Sequence, residues 1–83
     1  MNKKLVENVK YFKHVCDKHN LQYEEVEKYT IPFNAVMYSV NVKDNAKMRA
    51  KVVINEFENK PLIYRLIQAT LETLNDVKIK TPL

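Results

Sequence analysis

The chain has 83 residues and no glycine among them. Average usage is about 7%, so about six glycines would be expected in a chain of this length. Glycine-rich phosphate loops need residues without a Cβ, because their backbone must approach the phosphate closely. The P-loop and the dinucleotide-binding fingerprint are therefore excluded. Turns must instead be made by asparagine, aspartate and proline, and the candidate positions are Asn20, Pro32, Asp44, Asn45, Asn59 and Asn75.

The length predicts a single domain, residues 1–83, with one modest core that buries about 60 to 65% of the unfolded chain's surface. A deep substrate cavity would compete with that core, so we expect no enzyme, no cofactor and no small-molecule substrate. The single cysteine, Cys16, excludes an intramolecular disulfide and is typical of a reducing compartment. Charged residues such as Glu7 and Lys10 interrupt the N-terminal segment, and no membrane span is evident, so we expect a cytoplasmic protein.

Charge narrows the range of partners only slightly. The 14 basic side chains exceed the 10 acidic ones, which gives a formal net charge of +4. This mild excess permits a polyanionic partner without requiring one. Lysine is preferred over arginine and asparagine is frequent, a pattern typical of A/T-rich coding in a low-GC bacterium or its phage.

Residues 3–19 have the periodicity of an amphipathic helix. Leu5, Val9, Phe12 and Cys16 fall on one side of it, and charged residues occupy the other. Asn20 is suited to end the helix in a left-handed conformation, as glycine does in other proteins. We therefore expect one face of this helix in the core and one in water.

A second amphipathic helix is predicted from Leu62 to about Asp76. Asn59 is a candidate cap before it, Pro61 suits its first turn, and Asn75 is the expected stop. Its apolar arc also places Tyr64 on the core side. The tail, residues 77–83, alternates at its start, which suits either a short extra strand or a frayed end.

Three strands are predicted between the helices. Residues 21–30 are weakly patterned and fit a short edge strand, whereas residues 34–43 and 47–57 alternate clearly between apolar and polar side chains. Asp44, Asn45 and Ala46 supply turn residues, and pairing Val42 with Met48 would bring both apolar sets to one face. The sequence thus predicts an α+β two-layer fold in α-β-β-β-α order, with a central antiparallel hairpin and both helices on one face of the sheet.

The other face of the hairpin remains for function. Near its turn it carries four cations that could lie against phosphates: Lys43, Lys47, Arg49 and Lys51. A solvated face, on which water screens like charges, is the alternative interpretation. Further along, Met37, Val53 and Phe57 form an exposed apolar set, and such sets often mark protein contacts.

Other candidate sites fail on geometry. His14 and Cys16 lie about 160° apart around the helix, so they cannot hold one metal ion or form a nucleophilic pair. Glu24, Glu25 and Glu27 fall in a charged segment, where a solvated edge explains them better than a catalytic pair of carboxylates. We therefore expect no catalytic and no metal-binding residues.

The element order resembles that of the double-stranded RNA-binding domain. Residues 12–21 are similar to that family's first helix and its exit, residues 23–26 to its first strand, and residues 37–43 to its second. The resemblance implies binding across RNA minor grooves by the first helix and a strand loop, with a lysine cluster opening the second helix. Here that opening, residues 58–62, has Lys60 as its one cation, and the family's loop glycines are missing.

Two hypotheses follow. The first is a small non-catalytic protein that binds another protein or a second copy of itself, as an accessory regulator or inhibitor of bacterial or phage type. The second is a nucleic-acid-binding module that uses the basic hairpin face. The first predicts binding that depends on Phe57 and Val53, and the second predicts affinity that falls steeply with salt.

Overall fold

The computed structural model describes the backbone of residues 2–80 and the side chains of residues 2–75. It confirms the α+β fold class and the α-β-β-β-α order. The five elements are α1 (Lys3–Lys18), β1 (Leu21–Tyr29), β2 (Ala35–Val42), β3 (Asn45–Asn55) and α2 (Lys60–Lys80).

Asparagines flank helix α1 on both sides. The Asn2 side chain accepts a hydrogen bond from the backbone N–H of Leu5 at 3.1 Å and caps the first turn. At the other end Asn20 has φ 58°, so the predicted left-handed position is confirmed. Val6, which flanks the predicted apolar arc, is exposed, whereas Phe12 and Cys16 are fully buried.

The sheet has three antiparallel strands in the order β1-β2-β3, so β2 is central and β1 is an edge strand as predicted. Strand β1 pairs with β2 along its whole length, with one irregularity. Glu25 pairs with Tyr38 and Glu27 with Met37, so Val26 is an extra residue that forms a bulge.

The hairpin of β2 and β3 is present, but its turn differs from the prediction. Lys43 and Asp44 form the turn, with Asp44 at φ 69°, and Asn45 already belongs to β3. Val42 pairs with Asn45, so the predicted pairing with Met48 is wrong. The tighter turn is followed by a bulge in β3, in which residues 46–49 lie opposite the single residue Asn41. Beyond this bulge the strands pair in the expected register, from Val40 with Ala50 onward. The strands therefore span 35–42 and 45–55 rather than 34–43 and 47–57.

Helix α2 starts at Lys60, two residues before the predicted Leu62, and ends later than predicted. Asn59 caps it, because its side-chain oxygen accepts from the N–H of Leu62 at 3.0 Å. The helix continues through Asn75 to Lys80, so the predicted stop and the alternative of a strand at 77–80 are both wrong; residues 81–83 lie outside the described residues. Asparagine has only a weak preference against helix interiors, and no proline follows until Pro82.

Both helices pack on one face of the sheet, here called the inner face, as predicted. Phe12 of α1 lies against Tyr38 of β2 with ring centroids 4.9 Å apart. Tyr64 is an exception to the predicted core, since it is 44% exposed. The buried cluster joins all five elements and contains Leu5, Phe12, Val15, Cys16, Leu21, Val36, Tyr38, Val40, Val52, Ile54, Ile63, Ile67 and Leu74. The opposite side of the sheet, the outer face, is left uncovered by the described elements.

Candidate functional site

Strand register decides which side chains lie on the outer face. Because Val36, Tyr38 and Val40 belong to the core, their neighbours on β2 point the other way. These neighbours pair with both edge strands and form rows across the sheet. The rows are Glu24, Ser39 and Lys51, then Glu27, Met37 and Val53, then Tyr29, Ala35 and Asn55.

The three residues predicted for partner binding divide into a pair and a separate residue. Met37 and Val53 are cross-strand partners, with Met37 half-buried and Val53 exposed. Phe57 lies beyond the end of β3 and is 69% exposed. Its ring contacts Phe33 instead, edge to face, with centroids 5.6 Å apart.

Phe33 belongs to the loop between β1 and β2, which also carries the highly exposed Ile31. Three exposed apolar residues thus lie in the loops at the end of the sheet away from the hairpin turn: Ile31, Phe33 and Phe57, here called the loop-end patch. Large exposed aromatic side chains in one cluster are typical of contact sites.

Hydrogen bonds hold the two loops of the loop-end patch together. The Glu56 carboxylate accepts from the backbone N–H of Asn34 at 2.7 Å and from its side-chain amide at 3.0 Å. The Asn55 side chain accepts from the N–H of Phe57 at 2.8 Å. The aromatic pair therefore rests on a fixed frame rather than on free loops.

Periodicity analysis missed Ile31 and Phe33 because they belong to no helix or strand. A usable signal was present, since two large apolar residues flank Pro32 between polar neighbours at Thr30 and Asn34. A loop placed there has no core to bury such side chains.

The four predicted cations are exposed but do not form one row. Lys51 lies opposite Ser39 on the outer face, and Arg49 lines a depression there with Asn41. Lys43 lies in the turn, and Lys47 lies in the bulged segment of β3. The bulge thus interrupts the even spacing that the sequence pattern predicted.

Acidic side chains line the opposite edge of the same face. Glu24 and Glu27 are both exposed on β1. Strict alternation from Glu24 would turn Glu27 toward the helices, but the extra residue Val26 returns it to the outer face. Glu27 also accepts a hydrogen bond from the Tyr29 hydroxyl, which raises the pKa of Tyr29. The outer face is therefore acidic along β1 and basic along β3.

Two shallow depressions flank these surfaces. One of about 760 Å³ lies at the hairpin end of the sheet, where it extends from the outer face around the edge strand β1 to α1, and is lined mostly by polar groups, among them Asp17, Gln22, Asn41 and Arg49. The other, of about 470 Å³, lies between the helices and is lined by Tyr11, Lys60, Pro61, Tyr64, Arg65 and Gln68. There the Lys60 ammonium lies 5.5 Å from the centre of the Tyr11 ring, a cation–π distance.

Cys16 is packed in the core, and burial raises the pKa of its thiol to about 12. At neutral pH this thiol carries very little thiolate, the form that attacks substrates or binds metals. Nowhere in the part of the chain that the structure describes do three His, Cys, Asp or Glu side chains cluster as metal ligands. None of the described helices is long and apolar enough to cross a membrane.

No protein family, curated protein or solved structure matches this chain. The likeness to the double-stranded RNA-binding domain thus remains one of element order and short segments. Functional inference has to start from the residues and surfaces described above.

Proposed function

We propose that this protein is a small non-catalytic binding protein that docks on another protein through the loop-end patch, with Val53 and Met37 extending the contact along the sheet. The observation that carries the proposal is the edge-to-face pair of Phe33 and Phe57 on the surface. Phe57 is 69% and Ile31 85% exposed, which leaves two large apolar side chains in water.

A partner that covers the patch would bury apolar surface that lies in water in the free protein. Covering a large apolar side chain completely is worth about 1.5 to 3 kcal/mol. The three residues of the patch could therefore supply several kcal/mol, enough for a binding hot spot. Because the Glu56 and Asn55 hydrogen bonds already order both loops, little conformational entropy is lost on binding.

The biological role that fits this proposal is an accessory regulator or inhibitor of bacterial or phage type, acting in the cytoplasm. A binding protein without catalytic groups acts by covering part of the surface of its partner. The high pKa of the Cys16 thiol supports the non-catalytic role. The thiol of this single cysteine is a strong nucleophile only when deprotonated, and the raised pKa keeps it protonated at neutral pH.

Affinity capture with matched variants tests the proposal. The wild type, Phe57→Glu and Leu62→Glu would each be immobilised and exposed to nuclease-treated extract of the native host. Leu62 is the control, because it is an apolar residue 45% exposed on α2 and does not belong to the patch. We expect a protein that the wild type and Leu62→Glu retain and Phe57→Glu loses; equal recovery with all three variants would refute the proposal.

Nucleic-acid binding is the second candidate, through Lys43, Lys47, Arg49 and Lys51. The observation that favours it is that all four are exposed and that none is ion-paired among the described residues, where the one ion pair joins Lys28 and Glu25 at 3.8 Å. Such side chains are available to phosphates.

Binding to duplex RNA and DNA, measured across salt concentrations, tests this second candidate. Four phosphate contacts would give a slope of log affinity against log salt of roughly −3 to −4. Arg49→Glu with Lys51→Glu should flatten the slope. A flat salt response of the wild type would dismiss nucleic-acid binding.

A further inference from the structure

The outer face carries charges of opposite sign along its two edges. Glu24 on β1 and Lys51 on β3 flank Ser39 in the same row. Both strands are about 4.8 Å from β2, so the Cα atoms of the two residues are about 10 Å apart, and their side chains stand side by side, roughly perpendicular to the sheet. Within the described part of the chain neither side chain forms an ion pair.

Between these edges, the outward side chains of the central strand β2 project little above the sheet. Ser39 and Asn41, the outward residues of central β2, are each only 8% exposed. Asn41 is held down by hydrogen bonds from its amide to the Gln22 side chain and to the Val42 carbonyl. A second layer could therefore approach the centre of this sheet closely, while the long charged side chains of the two edge strands extend further from the sheet than those of β2.

We propose that the occupant of the outer face is a second copy of this chain, packed sheet against sheet about a two-fold axis that runs along β2. This inference goes beyond the proposed function, because the outer face shares only Met37 and Val53 with the docking surface proposed there. A two-fold rotation about that axis exchanges the two edges of the sheet, so β1 of each copy faces β3 of the other. This rotation does not shift residues along the strand direction, so each row faces the same row of the second copy. Glu24 therefore lies opposite Lys51 of the second copy, and the symmetry gives two such pairs.

The charges select this axis over its alternative. A two-fold axis across the strands would place β1 on β1 and β3 on β3, with Glu24 and Glu27 against the same acidic edge and Arg49 and Lys51 against the same basic edge. Like charges facing each other across an interface are unfavourable. Packed sheets lie about 10 Å apart, a gap that opposed glutamate and lysine side chains can bridge.

The size of the face sets the expected affinity. Three strands about 4.8 Å apart and about 8 paired residues long give a face roughly 14 by 26 Å. This is small beside standard protein interfaces, which bury about 800 Å² on each partner. We therefore expect a weak, reversible dimer rather than a permanent one.

Charge exchange between the two edges tests the dimer. Variant A carries Glu24→Lys and Glu27→Lys, and variant B carries Arg49→Glu and Lys51→Glu; all four positions are exposed, so neither variant removes a core contact. Sedimentation velocity from micromolar to near-millimolar concentration should show a wild-type dimer and at least roughly tenfold weaker self-association of A and of B. An equimolar mixture of A and B should recover the dimer, because each acidic edge again faces a basic one.

The possible outcomes separate this inference from the proposed function. A wild type that stays monomeric throughout the range overturns the dimer, as does a mixture of A and B that stays as weak as either alone. Circular dichroism checks that A and B are folded. If the dimer fails while Phe57→Glu still abolishes capture of another protein, the docking function stands and only the second copy is excluded as its partner.

Discussion

Asn8 is the clearest case of a single residue that joins distant parts of the chain. It is buried in α1, and its side-chain amide donates to the carbonyls of Asn55 and Glu58, each at 3.0 Å. These carbonyls flank Phe57, so α1 supports the loop that carries the loop-end patch. Sequence periodicity could not find this role, because an asparagine beside an apolar arc is typical of a solvent-facing position.

Replacing Asn8 with alanine should lower the free energy of unfolding by about 1 to 3 kcal/mol, because two partly buried carbonyls lose their donor. Urea denaturation measures the change, with Lys10→Ala on the exposed side of the same helix as the control. A loss for Asn8→Ala no larger than that of the control would show that the two hydrogen bonds contribute nothing to stability.

Cys16 offers a second test at the scale of one residue. Burial raises the pKa of its thiol to about 12, against about 8.5 for an ordinary thiol. At about pH 8 the folded protein should therefore hold on the order of a thousandfold less thiolate than the unfolded chain. Ellman's reagent should react with the unfolded protein at once and with the native protein only very slowly; rapid reaction of the native protein would contradict the burial.

The sign of the pH dependence follows from the same shift. A thiol whose pKa is raised on folding contributes its full stability below the pKa of the unfolded state, near 8.5, and loses it as pH rises toward 12. The stability advantage of the wild type over Cys16→Ala should therefore shrink across this range.

At the scale of elements, asparagine and aspartate replace glycine where the backbone has positive φ. Asn20 ends α1 at φ 58° and Asp44 turns the hairpin at φ 69°. Asparagine tolerates this region because its short polar side chain bonds locally, whereas β-branched residues do not.

The Asn20→Val variant should lose about 1 to 2 kcal/mol of stability, since a β-branched residue is strained in the left-handed conformation. The Asn20→Gly variant should equal or slightly exceed the wild type, because glycine adopts that conformation without strain. Thermal and urea unfolding distinguish the two. Equal destabilisation by valine and glycine would point to a lost side-chain contact rather than to backbone strain.

Periodicity predicted the elements well because each has one face in the core. The alternation of Val36, Tyr38 and Val40 identified the inner face, and the Asn59 cap located the start of α2. The bulges at Val26 and at residues 46–49 could not be predicted, since an inserted residue depends on pairing with another strand. Those bulges decide where Glu27 and Lys47 lie, so the charge pattern of the sheet required the structure.

The candidate surface was predicted in part for the same reason. Val53 and Phe57 lie on or next to an alternating strand, so their exposure followed from the pattern. Ile31 and Phe33 lie in a loop, where no period marks which side chains are buried. The contact of Phe33 with Phe57 joins residues distant in sequence, which only folding brings together.

The whole molecule presents two exposed surfaces around a small core. The helices cover one face of the sheet, and the charged outer face and the loop-end patch remain free among the described residues. We propose that the loop-end patch is the surface that contacts another protein chain.

Site-specific photo-crosslinking in the native host tests that claim most directly. A photoreactive benzoylphenylalanine would replace Phe57 in one variant and the control residue Leu62 in another. We expect light-dependent protein adducts, resistant to nuclease, from position 57 and none of the same mass from position 62. Absence of protein adducts at position 57, or the same adducts at both positions, would contradict it.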